Sequence, residues 1–335
     1  MSQSLNQILN KLKTQKNLTQ SQAFELQTQI LQGVLETSQI LEIFKNINQR
    51  NPDNYQNSLK ITKQEFSGFV RASKKETIKI QTDLETLDIV GTGGDKLNTF
   101  NISTATALLA AKIGLKVAKH GNRSASSISG SADVLESLGY DLEQDRAGVL
   151  QDLKTKNFAF LYAKKYNPAF RFPGPARKEF KQKTYFNFLG PLLNPILPSY
   201  MLLGVSDWSM VDLMGQELIN NGVQKIWIVS SVSRMDEIAI TENTKVKEFS
   251  QNQEPIEFQI SPEELEIPKA NLQDLQIKDK NEAKEILEKV LKLEATEAQN
   301  NVVLINLYGA LVVSGRAKDL KEAKEFFEKK LIKLV

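Results

Sequence analysis

From about residue 84 onward, short apolar runs alternate with helical segments, and this alternation constrains the fold more than any other feature of the chain. "TLDIV", "LKVAK", "FAFLYA" and "KIWIVSS" read as buried strands, and "STATALLAAKIG" and "SADVLESLG" as helices between them. Parallel strands need crossover connections, which helices supply. The pattern therefore predicts an α/β unit with a mainly parallel central sheet.

The segment before it reads as helical. Thr19 is placed as an N-cap with Gln22 three residues on, a capping-box spacing, and Phe24, Leu26, Ile30 and Leu31 follow as the apolar face. Asn51–Asn57, "NPDNYQN", is a loop on composition. Pro173–Pro198, "PGPARKEFKQKTYFNFLGPLLNPILP", is rich in Pro and Gly and reads as a hinge or a return into the helical part. These boundaries predict a small helical domain over 1–82, joined by part of 173–200, and a larger α/β domain from 83–172 and 201–335. The charged C-terminal helices, such as "DLKEAKEFFEKKLIK", read as solvated amphipathic faces.

Composition narrows the function classes. At 335 residues the chain exceeds a typical single domain. Its 43 basic and 40 acidic residues are interspersed, so a net charge of +3 leaves no nucleic-acid or membrane footprint. There are no cysteines, which removes thiolate nucleophiles and Cys-based metal sites, and the single histidine, His120, excludes a multi-histidine site. The N-terminus, "MSQSLNQILNKLK", lacks the apolar region of a signal peptide. The longest apolar stretch, Val302–Val313, is about a dozen residues broken by Asn306 and Gly309, short of the roughly 20 that span a bilayer. A cytoplasmic protein is expected.

Two stretches carry chemistry. "DIVGTGGDKLNTFNISTATALL" sets Gly91, Gly93 and Gly94 after a strand and opens a helix near Ser103 and Thr104. Exposed backbone N–H groups and a helix dipole make such a junction either a phosphate cradle or a tight turn, and its spacing fits neither Walker A nor the dinucleotide fingerprint. "KHGNRSASSISGSADVLESLG" places Lys119 and His120 at the end of a strand, where open α/β sheets bind ligands. Ser124, Ser126, Ser127, Ser129 and Ser131 follow, with Gly130 and Ser131 before a second helix at Asp133. The serines are either donors to a second phosphate group or a surface loop. Asp236 and Glu237, after the "KIWIVSS" strand, are either a solvated pair or ligands for a hard cation.

Taken in order, "GTGGD", "NIST", "KHGNR" with "SGSADVLESLG", and "FNFLGPLLNP" resemble the anthranilate phosphoribosyltransferase family, of the class that includes the pyrimidine nucleoside phosphorylases. The resemblance covers nearly the whole chain. It implies transfer of the phosphoribosyl group of phosphoribosyl pyrophosphate to anthranilate in tryptophan biosynthesis, with Mg²⁺, in a homodimer joined through the helical domain. For the donor it implies Gly91, Gly94, Asp95, Thr99, Asn101, Ser103, Thr104, Lys119 and Ser131. It implies Gly91, Asn122, Asn167 and Arg177 for anthranilate, and Ser103, Asp236 and Glu237 for the metal. No dedicated acid or base is expected, and Lys119 stabilises charge.

Departures from the family bear on the acceptor. Asn167, in "NPAFRFP", replaces a histidine that usually lies against anthranilate; Ser230, Ser231 and "SRM" from Ser233 replace a His-Gly pair and an Asp-Gly-Leu; Lys183 replaces an arginine. A pyrimidine nucleoside phosphorylase of the same fold, or a non-catalytic nucleic-acid-binding relative, are the alternatives. The former's loops match poorly, and the latter's expected basic cleft conflicts with the balanced charge.

Overall fold

The structure, a computed structural model, describes residues 3–50, 59–124 and 127–331; the loop expected at Asn51–Asn57 and Ser126 of the serine run lie outside the described residues. The chain opens with helices α1 (Gln3–Lys13), α2 (Gln20–Leu31), α3 (Thr37–Asn48) and α4 (Lys63–Glu76). α2 begins at the expected capping box: Gln22 N donates to Thr19 Oγ1 at 3.3 Å, and Thr19 N donates to Gln22 Oε1 at 3.1 Å.

Strand β1 (Leu87–Gly91) leads through α5 (Ile102–Lys112) to β2 (Val117–Gly121), and then through α6 (Ser131–Ser137) and α7 (Arg146–Thr155) to β3 (Phe158–Tyr162). The Pro-rich passage is helical, with α8 (Ala163–Tyr166) just before it and α9 (Gly174–Phe180) and α10 (Phe186–Leu189) within it. β4 (Tyr200–Gly204), α11 (Val211–Asn220), β5 (Lys225–Ser231), β6 (Thr244–Ser250) and β7 (Ile256–Ile260) follow, and α12 (Lys280–Val290), α13 (Glu297–Val313) and α14 (Leu320–Leu331) close the chain. The sheet runs β3-β2-β1-β4-β5-β6-β7, parallel from β3 through β5 and antiparallel at β6 and β7.

β4 is not legible in the sequence because it emerges directly from the Pro-rich passage. β6 and β7 carry too many charged residues to read as buried strands.

Alternation along the central strands makes the layers. Met201, Leu203, Ile226 and Ile228 face one side and share a core with Ile30, Phe44, Phe69, Tyr185 and Phe188, so α2–α4 and the Pro-rich passage cover that face. Leu202, Trp227 and Val229 face the other side with Leu109, Val303, Leu307 and Leu311 of α5 and α13. Both faces of β4 and β5 are therefore dry, as parallel strands require. Successive crossovers run outward from β1 to β3 and then return to β4 on its other side. The direction reverses between β1 and β4, and at such a point the carboxyl ends of two strands leave a crevice.

Candidate active site

Gly91 and Gly204 end β1 and β4 as partners in register. A Cβ on Gly91 would overlap the Asp236 carboxylate, and one on Gly204 would overlap the Asp236 backbone carbonyl. Two bare strand ends are what admit Asp236 to the crevice. Its Oδ2 accepts a hydrogen bond from Gly93 N at 2.6 Å. Gly93 and Gly94 have φ of +65° and +80°, the left-handed region that glycine occupies without penalty. Glu237 reaches the start of α5, where its Oε1 accepts from Ser103 N at 3.2 Å at the positive end of the helix.

Lys119, on β2, is 2% exposed. Its Nζ donates to Ile89 O and, at 3.2 Å, to Ser103 Oγ. Burial lowers its pKa, against the pull of Asp88, Glu237 and Asp236. Burial, and next the charge of Asp95, push the Asp236 carboxyl up to about 7. Burial and then Asp236 hold Glu237 well above the usual carboxylate range. The crowding of Asp236 and Glu237 thus disfavours their charged forms more than Lys119 offsets. Among the described residues no three His, Asp or Glu side chains converge tightly enough to hold a metal by themselves.

The second loop is tied to the first. Asn101 Nδ2 donates to Ser129 O at 3.1 Å, while Asn101 Oδ1, Thr104 Oγ1 and Ser129 Oγ are buried with no partner. Such atoms are uncommon in folded proteins, because leaving a buried polar group unpaired costs about 1–3 kcal/mol. The expected second anion cradle at α6 is a weaker feature than its sequence suggests. The helix covers only Ser131–Ser137, and its own Asp133 Oδ2 takes Gly130 N at 3.0 Å and Ser124 N at 3.2 Å. Ser131 Oγ donates to Asn122 O at 3.3 Å, and Arg123 is held by Glu136 and Asp133. Thr99 lies in an isolated bridge with Gln276.

Of the residues expected to address the acceptor, Arg177 of α9 is half-buried, and burial lowers its pKa. Its guanidinium lies 5.4 Å from the centre of the Phe186 ring and makes no hydrogen bond or ion pair to a described residue. Asn167 differs from expectation. Its Oδ1 accepts from Thr77 Oγ1 at 2.7 Å, and its Nδ2 donates to His120 Nε2 at 3.1 Å and to Leu193 O at 3.3 Å. Both amide protons are spent inside the protein, leaving none for an acceptor. His120 Nδ1 lies 3.2 Å from Gly190 O, which assigns the proton to Nδ1 and leaves Nε2 to accept from Asn167. Burial pushes this imidazole down to about 4, so it is neutral.

A cavity of about 300 Å³ lined by Lys74, Thr77, Leu192, Pro195, Leu218 and Val223 lies apart from the carboxylates, and no residue expected in the site lines it.

The glycosyl transferase family α/β-domain model matches residues 83–332. The anthranilate phosphoribosyltransferase of Geobacillus kaustophilus (strain HTA426) is 35% identical over 318 residues, covering 95% of this chain and 91% of that protein. The chain belongs to the anthranilate phosphoribosyltransferases. The crystal structure of the anthranilate phosphoribosyltransferase of Thermus thermophilus superposes with a TM-score of 0.85 at 29% identity, covering 97% of this chain and 94% of that one. The Saccharomyces cerevisiae enzyme, solved in complex with PRPP and Mg, shares the fold with a TM-score of 0.85 at 22% identity, covering 98% of this chain and 94% of that one.

Within this anthranilate phosphoribosyltransferase fold, several supports are invisible to the sequence reading. Lys183 Nζ donates to Ser206 Oγ at 3.1 Å, and Ser206 Oγ donates to Gly93 O at 3.0 Å, so both buttress the glycine loop from outside. Asn194, in "FNFLGPLLNP", donates to Asp88 Oδ2 and to Ala118 O, each at 2.8 Å, which anchors that motif to β1 and β2. Asn306 exchanges two hydrogen bonds with the Ile238 backbone at 2.9 and 2.8 Å. A Cβ on Gly309 would lie 2.6 Å from Ile238 Cδ1. The two breaks in the apolar run of α13 thus fix the residue that follows the acidic pair.

Proposed function

We propose that the chain transfers the phosphoribosyl group of phosphoribosyl pyrophosphate to the amine of anthranilate, releasing diphosphate, with the donor lying across the two loops at the carboxyl ends of β1 and β2. The observation that carries this reading is the trio of unpartnered buried atoms Asn101 Oδ1, Thr104 Oγ1 and Ser129 Oγ in those loops. The two hydroxyls suit phosphate oxygens, and the amide oxygen suits a ribose hydroxyl. In this reading Gly91, Gly94, Asp95 and Thr99 border the ribose and diphosphate. Ser103 and Thr104 take the diphosphate, Asn101 sets its remaining amide proton toward the diphosphate and its Oδ1 toward the ribose, and Lys119 and Ser131 take phosphate oxygens. Arg177, with Gly91 and Asn122, addresses anthranilate, and Asn167 positions His120.

Asp236 and Glu237, with Ser103, fit Mg²⁺. They are half-buried hard oxygen donors that hold their protons above the usual carboxylate range, which a cation would displace, and oxygens of the substrate and water would complete its shell. When bound, the ion supplies positive charge against the diphosphate. The reaction breaks the bond from sugar C1 to the diphosphate oxygen and forms one from C1 to the anthranilate nitrogen, which then sheds a proton to water. An aromatic amine is neutral at pH 7 and needs no strong base, and His120 has both ring nitrogens engaged. Lys119 stabilises the departing charge, and alignment supplies the rest.

The same reading carries a cytoplasmic homodimer joined through a helical domain of residues 1–82 with part of 173–200; no helix of the described residues is long and apolar enough to cross a membrane. The test is loss of anthranilate fluorescence on adding phosphoribosyl pyrophosphate and Mg²⁺. Turnover that requires all three components is expected. A flat trace from folded protein, beside an active control enzyme, would overturn the reading.

A further inference from the structure

The turn that delivers the acidic pair holds a feature the reaction above does not use. Between β5 and Asp236, Arg234 sits at φ +68°, where a long side chain rarely settles. The turn leaves it no alternative. Arg234 N donates to Ser231 O at 3.0 Å, Ser231 N to Met235 O at 3.1 Å, Met235 N to Ser231 Oγ at 3.1 Å, and Ser233 N to Glu242 Oε1 at 2.6 Å. Arg234 is exposed, and its guanidinium has no hydrogen bond or ion pair to a described residue.

Two more cations stand around the same loop. Lys96, at φ +63°, is exposed and likewise unpaired among the described residues. Lys183 hangs from Ser206, and its Cε lies 4.0 Å from where a Gly94 Cβ would stand. Burial, and then the like charges of Arg234 and Lys96, lower the basicity of Lys183, against Asp207 and Asp236. Arg234 lies two residues before Asp236, whose carboxylate holds Gly93 N, Lys96 directly follows Asp95, and Lys183 stands beside Gly94, so three cations border one loop and two of them occupy left-handed backbone.

We propose that Arg234 is a donor-binding residue: with Lys183 and Lys96 it forms a cationic rim outside the Gly91–Asp95 loop that takes diphosphate oxygens, in the substrate and in the leaving group. A metal at the acidic pair neutralises only part of the charge of diphosphate, and a planar guanidinium engages the remaining oxygens two at a time. The proposal rests on the donor reading above.

The test is calorimetric titration of the full chain with magnesium diphosphate, beside its thermal midpoint. The wild type should bind. Arg234→Gly removes the cation from a backbone position that glycine prefers, so binding should weaken about threefold to tenfold while the thermal midpoint holds or rises. Arg234→Lys should retain most of the affinity, and the salt dependence of Arg234→Gly should be shallower. Wild-type affinity in Arg234→Gly overturns this proposal alone. A lowered midpoint also overturns it, because the arginine would then be packing its own turn. A wild type that fails to bind magnesium diphosphate overturns the donor reading, and this proposal with it.

Discussion

The donor and acceptor sides of the site are built in opposite ways. On the proposed donor side, buried polar atoms of Asn101, Thr104 and Ser129 have no partner, and half-buried carboxylates crowd one another. On the proposed acceptor side, Asn167 accepts from Thr77 and spends its donors on His120 and Leu193, His120 spends its own on Gly190, and the Arg177 guanidinium has no hydrogen bond or ion pair to a described residue. A fold that leaves groups unsatisfied holds them ready for ligand oxygens. One that closes its network makes a scaffold and concentrates recognition in a single cation.

The largest effect should come from relieving the donor side. Asp236→Asn with Glu237→Gln should lower turnover at least about a hundredfold and yet raise thermal stability, because it removes two crowded carboxyls whose charged forms the site disfavours. Folded Asp236 binds its proton more tightly than the ordinary carboxyl at 3.8, so its stabilising contribution is present below that value and is lost as pH rises through about 7. Glu237 acts in the same sense. His120, pushed down from 6.5 to about 4, acts oppositely, losing its contribution as pH falls through that window. Melting the ligand-free protein between about pH 6.5 and 8 therefore isolates the carboxylates. The wild type should lose stability with rising pH and the double variant should stay level; equal slopes would place the source elsewhere.

A smaller and more selective effect is expected at Arg177. If Arg177 makes the proposed charge-assisted hydrogen bond to the anthranilate carboxylate, Arg177→Ala should weaken acceptor binding about tenfold to 150-fold with the donor Michaelis constant unchanged. Equal losses for both substrates would mean that α9 itself has shifted.

The smallest effect on substrates, and the clearest on stability, belongs to the closed network. Thr77→Val strips Asn167 Oδ1 of its donor and should cost about 1–3 kcal/mol in denaturant unfolding, with donor affinity within about twofold of wild type. If Thr77→Val leaves stability unchanged but impairs anthranilate binding, the network is not the scaffold described.

Features whose meaning is local are legible in the sequence. The glycine loop lies between a strand and a helix that both announce themselves. The acidic pair follows a strand by one short turn, and the capping box at Thr19 spans one turn. The features that are not legible depend on distance along the chain. Lys183 is meaningful only because β4 brings Ser206 under the glycine loop, and β4 is hidden behind prolines. Asn167 reads as a substitute for a ligand until Thr77, from the end of α4, is seen to bind it. Asn306 and Gly309 read as interruptions in an apolar helix because nothing in α13 reveals that Ile238 docks there.

The paired strand ends at Gly91 and Gly204 bear on how such a protein can change over generations. Each stands against Asp236, one at its carboxylate and the other at its backbone carbonyl, so neither accepts even a methyl group unless the acidic turn moves. Any path of single substitutions through these positions passes through a protein with a displaced Asp236. The centre of the site is closed to stepwise drift, and heritable variation must enter from the outer turns. There a residue such as Arg234 can be exchanged without displacing the strand ends, at a cost in binding rather than in the fold, and diversity among descendants of this chain should accumulate in that ring of loops.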